Sequence, residues 1–292
     1  MLEQILKQKE KEVVALHERY GSDLRARAEA YVFSTDESSK AGALTAGPSE
    51  RTEGRSLKRA LKSVAEGSDI PALIAEIKRK SPSKGVLREA FDPLKIALDY
   101  ETAHVQAISV LTDVPFFAGD PAFVSLVKRV TRVPVLRKDF IIDSIQLYES
   151  VLIGADAVLL IVRALNEEQL FTLYTEARRL HLDVLVEVHD LPELKRALLL
   201  PDAVIGMNNR NLNTFETTLE TTYELLPHVP KDRLIVSESG IRTHEEMRML
   251  KQRGVHGVLV GETLMRASDL VQAVYKLRHG HSTGAHGAAT ST

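Results

Sequence analysis

Residues 154–190 read GADAVLLIVRALNEEQLFTLYTEARRLHLDVLVEVHD. Two short runs, AVLLIV (157–162) and DVLVEV (183–188), carry apolar residues at nearly every position, and they bracket the amphipathic stretch NEEQLFTLYTEARRL. Strands without polar alternation are buried on both faces, as in a parallel sheet covered by helices. Working outward, the same unit recurs about every 20 to 35 residues: ALIAEIK (72–78), AISVLT (107–112) and PVLRKD (134–139) lie before it. AVIGMN (203–208), RLIVSES (233–239) and GVLVGE (257–262) lie after it. A candidate helix follows each strand, as in THEEMRMLKQRG (243–254), which has a Thr cap and a terminal Gly. Eight β/α units in about 210 residues predict an α/β protein with a closed (β/α)8 TIM barrel and an N-terminal helical extension. An open doubly wound sheet is the alternative. No G-x-G-x-x-G follows a strand and no G-x-x-x-x-G-K-[ST] occurs, so its nucleotide-binding versions lose their main support.

The flanks read differently. Residues 2–30 carry Leu2, Ile5, Leu6, Val13 and Leu16 at helical spacing among many Lys and Glu, which predicts a helix with a mostly solvated face. The stretch STDESSKAGALTAGPSERTEG (34–54) and the tail HGHSTGAHGAATST (279–292) are too poor in apolar residues to offset the entropy of ordering. The resulting division is a helical extension at 1–33, a flexible linker at 34–54, a barrel domain at 55–278 and a disordered tail at 279–292.

Composition narrows the function. The 292 residues hold 38 Lys+Arg against 40 Asp+Glu, so the basic excess of a protein held on phosphates is missing and no nucleic-acid partner is predicted. The absence of cysteine removes thiolate catalysis, disulfides and cysteine metal sites. The charged N-terminus has no apolar run of signal-peptide length, and VLIGADAVLLIV (151–162) falls short of the roughly 20 residues that span a bilayer. A cytoplasmic protein without a membrane partner is expected.

Charged residues inside otherwise apolar strands are costly except at the C-terminal mouth of a barrel, where active sites form. Strand one ends with Glu76 and Lys78, strand three with Arg137, Lys138 and Asp139, and strand five with Glu187 and His189. Strand six ends with Asn208 and Arg210, and strand seven with Glu238 and Ser239. Each alone reads equally well as a structural ion pair, but strand formation gives no reason for all five at one end. Ser239-Gly240 after strand seven and Gly261 after strand eight lie where barrels often cradle a phosphate on backbone amides. Acid/base groups beside an anion cradle, with no metal cluster, predict proton-transfer chemistry on a phosphorylated small molecule. Lys78 and Lys138 each remain open as ammonium acid or Schiff-base former.

The segment IAEIKRKSPSKG (74–85), with its E-x-K-x-x-S-P-S pattern, closely resembles the signature of the indole-3-glycerol phosphate synthase family of tryptophan biosynthesis. FDP (91–93), AISVLTD (107–113), PVLRKDFIID (134–143), GADAVLLIV (154–162), LVEVHD (185–190), NNRNL (208–212), SESGI (237–241) and VGETLM (260–265) resemble that family's blocks in order. The resemblance covers about residues 70 to 270 and implies a carboxy-lyase that needs neither metal nor organic cofactor. Its substrate would be 1-(2-carboxyphenylamino)-1-deoxyribulose 5-phosphate, closed to indole-3-glycerol phosphate with loss of CO2 and water. Lys138 would then be the general acid toward the ketone and Lys78 would hold the departing carboxylate, two roles that are open to exchange. Glu187 would stabilise the iminium cation and move protons, with Glu76 and Asn208 orienting groups around it. Ser81, Arg210, Glu238 and Ser239 match further pocket positions, and Gly240, Gly261 and Glu262 match the phosphate site. Phe117 and Phe140 match apolar positions against the anthranilate ring. The family's N-terminal segment covers the pocket.

Two departures stand out. Ala118 replaces a polar Gln or Asn common in the family, with a consequence for substrate affinity, and His104-Val105 replaces a small turn. The linker at 34–54 is also longer than the family needs. The rival enzymes are a phosphoribosylanthranilate isomerase, which lacks the E-x-K-x-x-S-P signature, and a Schiff-base aldolase. The rival outside enzymology is a degenerate barrel that only binds. Contacts with other enzymes of tryptophan biosynthesis stay open at this point.

Overall fold

The computed structural model describes residues 1–34, 55–64, 68–211 and 216–280. The eight expected strands are all present: β1 (Ala72–Ile77), β2 (Ala107–Leu111), β3 (Val135–Lys138), β4 (Ala157–Ile161), β5 (Asp183–Val188), β6 (Val204–Asn208), β7 (Ile235–Glu238) and β8 (Gly257–Val260). All neighbours pair in parallel, and β8 pairs with β1 to close the barrel. An open sheet is thereby excluded. A short hairpin, Lys80–Ser81 against Gly85–Val86, rises from the loop after β1.

The helices run in chain order: α1 (Leu2–Tyr20), α2 (Asp23–Phe33), α3 (Leu57–Lys62), α4 (Pro93–Thr102), α5 (Val114–Phe117), α6 (Ala122–Val130) and α7 (Ser144–Leu152). Then follow α8 (Glu167–Arg179), α9 (Leu191–Ala197), α10 (Glu220–Leu225), α11 (His244–Gln252), α12 (Glu262–Met265) and α13 (Leu270–His279). Local chemistry sets several starts. Asn166 with Gln169 and Thr243 with Glu246 form reciprocal capping boxes at α8 and α11, so each helix begins where its orphan amides are met.

Strand pleat decides what fills the barrel. Ile74, Leu136, Leu159, Leu185, Val236 and Leu259 pack as one interior cluster, and α3 plugs its lower end with Leu57 and Leu61. The plug is tied by Ser56, which donates to Asp183 at the start of β5 (2.6 Å). The alternate residues, among them Val158, Leu160, Val184, Val186 and Ile205, join the larger cluster between sheet and helices. Both clusters are apolar, which is why the strands show no polar alternation.

The extension differs from the single helix expected over 2–30. The chain breaks at Gly21, whose φ of 50° lies in the left-handed region, and restarts as α2, which buries Leu24 and Ala28 completely. Ile5, Lys9 and Val13 form the buried stripe of α1. Residues 35–54 of the expected linker and 281–292 of the expected tail lie outside the described residues.

Candidate active site

Two-residue periodicity builds the site. On β1, the residues after inward Ala72 and Ile74 on the same face are Glu76 and then Lys78; on β3, Leu136 is followed by Lys138; on β5, Leu185 by Glu187. On β6 and β7 the inward face ends at Asn208 and Glu238. The apolar interior thus passes upward into a layer of charged and amide groups lining a cavity of about 860 Å³, a volume suited to a small-molecule ligand. All fourteen candidate residues line it: Glu76, Lys78, Ser81, Phe117, Lys138, Phe140, Glu187, Asn208, Arg210, Glu238, Ser239, Gly240, Gly261 and Glu262.

Two of the charged strand-end residues do not face this cavity. Arg137 has the opposite pleat and lies beneath α7, where its guanidinium donates to the Gln146 carbonyl, Ser150, Thr112, Asp139 and Glu149. It braces β3 from outside. His189 lies beyond the end of β5, its ring between Glu187 and Glu193.

The electrostatics centre on Lys138. Its Nζ is 3.0 Å from Glu187 Oε2 and 3.1 Å from Glu238 Oε2. Burial disfavours the ammonium, but Glu187, Glu238 and Glu76 outweigh that cost and hold it well above the usual lysine range. The carboxylates respond in opposite directions. Burial would raise Glu187, yet Lys138 and then His189 keep it below the ordinary carboxylate range and ionised. Burial raises Glu238, Lys138 opposes this, and the negative charge of Glu187 adds to it, so Glu238 is pushed toward the protonated form while Glu187 is held away from it. Lys78 pairs with Glu76 across the adjoining wall. Two ammonium groups and three carboxyls thus share one pocket, with a stable cation, a stable anion and a carboxyl able to change state.

Close packing at two glycines shapes this group. A side chain at Gly206 of β6 would strike Glu238 Oε1, and one at Gly261 would strike Glu76 Oε2 and stand 3.1 Å from Lys78 Nζ. The phosphate-type corner is formed by Ser239 and Gly240 after β7 and by Gly261 at the start of α12, with Arg210 and Arg266 both paired to Glu262. Ser239 holds a φ of 67°, a strained conformation of the kind found at functional sites. Opposite this corner, Phe117 and Phe140 meet at a ring separation of 6.1 Å and give an apolar wall.

Sequence reasoning did not place α1 residue by residue. Met1, Leu2 and Ile5 line the cavity. Lys9, 3% exposed, sends its ammonium to Asp139 Oδ1 (2.8 Å), Asp113 Oδ2 (3.1 Å) and Glu12 (2.6 Å) at the barrel rim. His17 adds a contact to Asp143. Ala118 does not line the cavity: it ends α5 in the left-handed region with φ 52°, so its departure from the family bears on backbone conformation and not directly on substrate contact. His104 likewise occupies a turn with φ 55°. Among the described residues no three His, Asp or Glu side chains gather as metal ligands, and no helix is long and apolar enough to cross a membrane.

A (β/α)8 barrel with acid and base groups converging at its C-terminal mouth, beside glycines that admit an anion, is the architecture of a barrel enzyme. Solved structures share the fold: thiamine phosphate pyrophosphorylase from Pyrococcus furiosus (TM-score 0.53, 16% identity, 72% of this chain and 95% of that one) and KGPDC from Streptococcus mutans (TM-score 0.54, 10% identity, 71% and 95%). Their identities are too low to speak to more than fold. Residues 2–277 match the family model of indole-3-glycerol phosphate synthase. Proteins of that name are similar to this chain: 46% identity over 228 residues in Alkaliphilus metalliredigens (78% of this chain, 86% of the relative) and 51% over 216 in Priestia megaterium (74% and 84%). A third, from Bacillus pumilus, is 50% identical over 226 residues (77% and 89%). The chain belongs to the indole-3-glycerol phosphate synthase family, as the E-x-K-x-x-S-P-S signature indicated.

Proposed function

We propose that this chain closes 1-(2-carboxyphenylamino)-1-deoxyribulose 5-phosphate to indole-3-glycerol phosphate, releasing CO2 and water, with the residues of the barrel mouth as its machinery. The observation that carries the assignment of roles is Lys138 held between Glu187 and Glu238 at 3.0 and 3.1 Å. Ring closure needs a proton or strong hydrogen bond at the ketone oxygen as the aromatic carbon attacks. Lys138 supplies it, and Glu238 is the neighbour able to return a proton. The cationic iminium that results lies beside Glu187, which its neighbours keep anionic; a preorganised charge facing a developing cation is the strongest kind of catalytic contribution. Loss of CO2 restores the aromatic ring, with Lys78 holding the departing carboxylate and Glu76 holding Lys78. Dehydration then needs a base and an acid, for which Glu187 and either lysine are in reach.

Binding follows the same geography. Backbone amides at Gly240, Gly261 and Glu262 take the phosphate, with Ser81 and Arg210 at its approach and Ser239 on its border. Asn208 orients Glu187, and Phe117 and Phe140 face the anthranilate ring. Helix α1 roofs the pocket, excluding water from the charged intermediates.

The test uses the absence of tryptophan in the chain, so that indole fluorescence reports product alone. Purified protein is mixed with the carboxyphenylamino deoxyribulose phosphate beside a Lys138→Met variant. Fluorescence rising in the wild type only is expected. No rise from folded wild-type protein would overturn the reading in favour of a different phosphosugar barrel or a binding barrel, and an equal rise in both would remove Lys138 from the mechanism.

A further inference from the structure

His189 is a buried titratable side chain that the chemistry above leaves unused. Its ring lies between two carboxylates: Nδ1 is 3.1 Å from Glu193 Oε2, and Nε2 is 3.4 Å from Glu187 Oε1. Glu193 is itself fixed, because Oε2 also accepts the backbone N–H of His189 (2.8 Å) and Oε1 accepts from Arg163. A carboxylate only accepts, so Nδ1 carries a proton toward Glu193. Nε2 has no other hydrogen-bond partner among the described residues and faces Glu187.

We propose that His189 is a positioning residue for the reaction: clamped through Nδ1 by Glu193, it presents Nε2 to Oε1 of Glu187 and so fixes the carboxylate whose other oxygen meets Lys138. The inference rests on the catalytic role given to Glu187 above. In the neutral ring, an Nε2 lone pair faces the Glu187 oxygen and repels it; in the imidazolium, an N–H faces it and attracts it. The charged groups around the ring are Glu187, Glu193 and Arg163, with Lys138 on the far oxygen of Glu187 and Asp190 turned to Arg163. Burial opposes the imidazolium and Arg163 does so weakly, but the two carboxylates outweigh both and raise its titration above the usual histidine value. The clamp therefore stays closed to a higher pH than an ordinary histidine would allow, and opens as pH rises through the raised value.

The experiment follows kcat and KM against pH for wild type, His189→Gln and Glu187→Gln, with NMR of the His189 ring in the full chain. His189→Gln is expected to lower kcat about 10- to 100-fold, the usual effect of removing a group that orients an active-site ligand, with KM changed less than about threefold. The alkaline fall of kcat due to the histidine should disappear with it. In Glu187→Gln the ring should titrate lower than in the wild type. Wild-type kcat and pH profile in His189→Gln, while Glu187→Gln is inactive, would overturn the positioning role and leave the function standing. Full activity in Glu187→Gln would instead overturn the role of Glu187. If His189→Gln does not fold, the ring titration decides: an unshifted midpoint in Glu187→Gln overturns the inference.

Discussion

The ammonium of Lys9 lies 2.8 Å from Oδ1 of Asp139, the residue that follows Lys138 at the mouth of the barrel. One ion pair thus fastens the roof of the pocket to the strand end that carries its central cation. Asp113, at the end of the loop after β2, is drawn into the same pair at 3.1 Å.

Lys9→Met should therefore act on stability and substrate binding together. It strands buried Asp113 without an ammonium and leaves Asp139 with Arg137 as its one cation among the described residues, and breaking a buried pair of this kind costs roughly 3–5 kcal/mol. The chain should melt about 6–12 °C lower, taking about 3 kcal/mol and a shift of 2–4 °C per kcal/mol for a domain of this size. Because Met1, Leu2 and Ile5 line the cavity, KM should rise more than kcat falls. Thermal scans and steady-state kinetics check both, and an unchanged melting temperature would show that α1 is held by its apolar stripe alone.

Gly261→Ala separates activity from stability. The backbone there has φ −119°, outside the left-handed region that favours glycine, but the new methyl would displace Glu76 and crowd Lys78. Both are side-chain termini that can move, so the stability change should stay within about 1 kcal/mol. Misplacement by an ångström is enough to cost about a hundredfold in rate, so kcat/KM should fall by about that factor. Native turnover in a stable Gly261→Ala protein would take Glu76 and Lys78 out of the rate-determining geometry.

The barrel and its charged mouth are legible because a fully buried strand has no polar residues to spare. Any Glu or Lys inside one is then a signal, as Glu76, Lys138 and Glu187 are. Telling Lys138 from Arg137 needs one step more, the pleat: counting in twos from inward Leu136 gives Lys138 to the cavity and Arg137 to α7. His189 is misread by the same count, since the strand ends at Val188 and the chain turns toward α9. Gly21-Ser22 carries a visible stop and restart that a search for periodicity alone passes over. Lys9 is different in kind. Among Lys7, Lys9 and Lys11 nothing local marks the one that is buried, because the two buried carboxylates it meets, Asp113 and Asp139, stand more than 100 residues away.

Ala118→Gly should stabilise the chain. Alanine at φ 52° and ψ 38° pays roughly 1–2 kcal/mol for the left-handed conformation. Glycine removes that strain while adding about 0.5–1 kcal/mol of backbone entropy to the unfolded state, for a net gain of about 0.5 kcal/mol. Denaturant unfolding should show a slightly higher midpoint with an unchanged slope. Kinetics should be close to wild type, since Ala118 does not line the cavity. A lower midpoint would mean that the methyl group makes packing contacts worth more than the strain.

Acid stability should carry the signature of Asp139. Burial raises its pKa, but Arg137 and then Lys9 outweigh burial and hold it at about 2, against 3.8 for the free residue. A depressed carboxylate stabilises the fold above its unfolded value, and that contribution drains away as pH falls from 3.8 toward 2. The shift corresponds to about 2 kcal/mol. Asp139→Asn should be less stable than wild type at neutral pH, where the neutral amide leaves Lys9 and Arg137 without its charge. The gap should shrink by about 2 kcal/mol on going from pH 5 to the acid limit, because only the wild type has that charge to lose. Denaturant midpoints measured for both proteins at stepped pH check this. A gap that stays constant down to the acid limit would place the acid sensitivity in another carboxylate, with Glu187 the first to examine, because Lys138 and then His189 hold it below the ordinary carboxylate range against the opposing effect of burial.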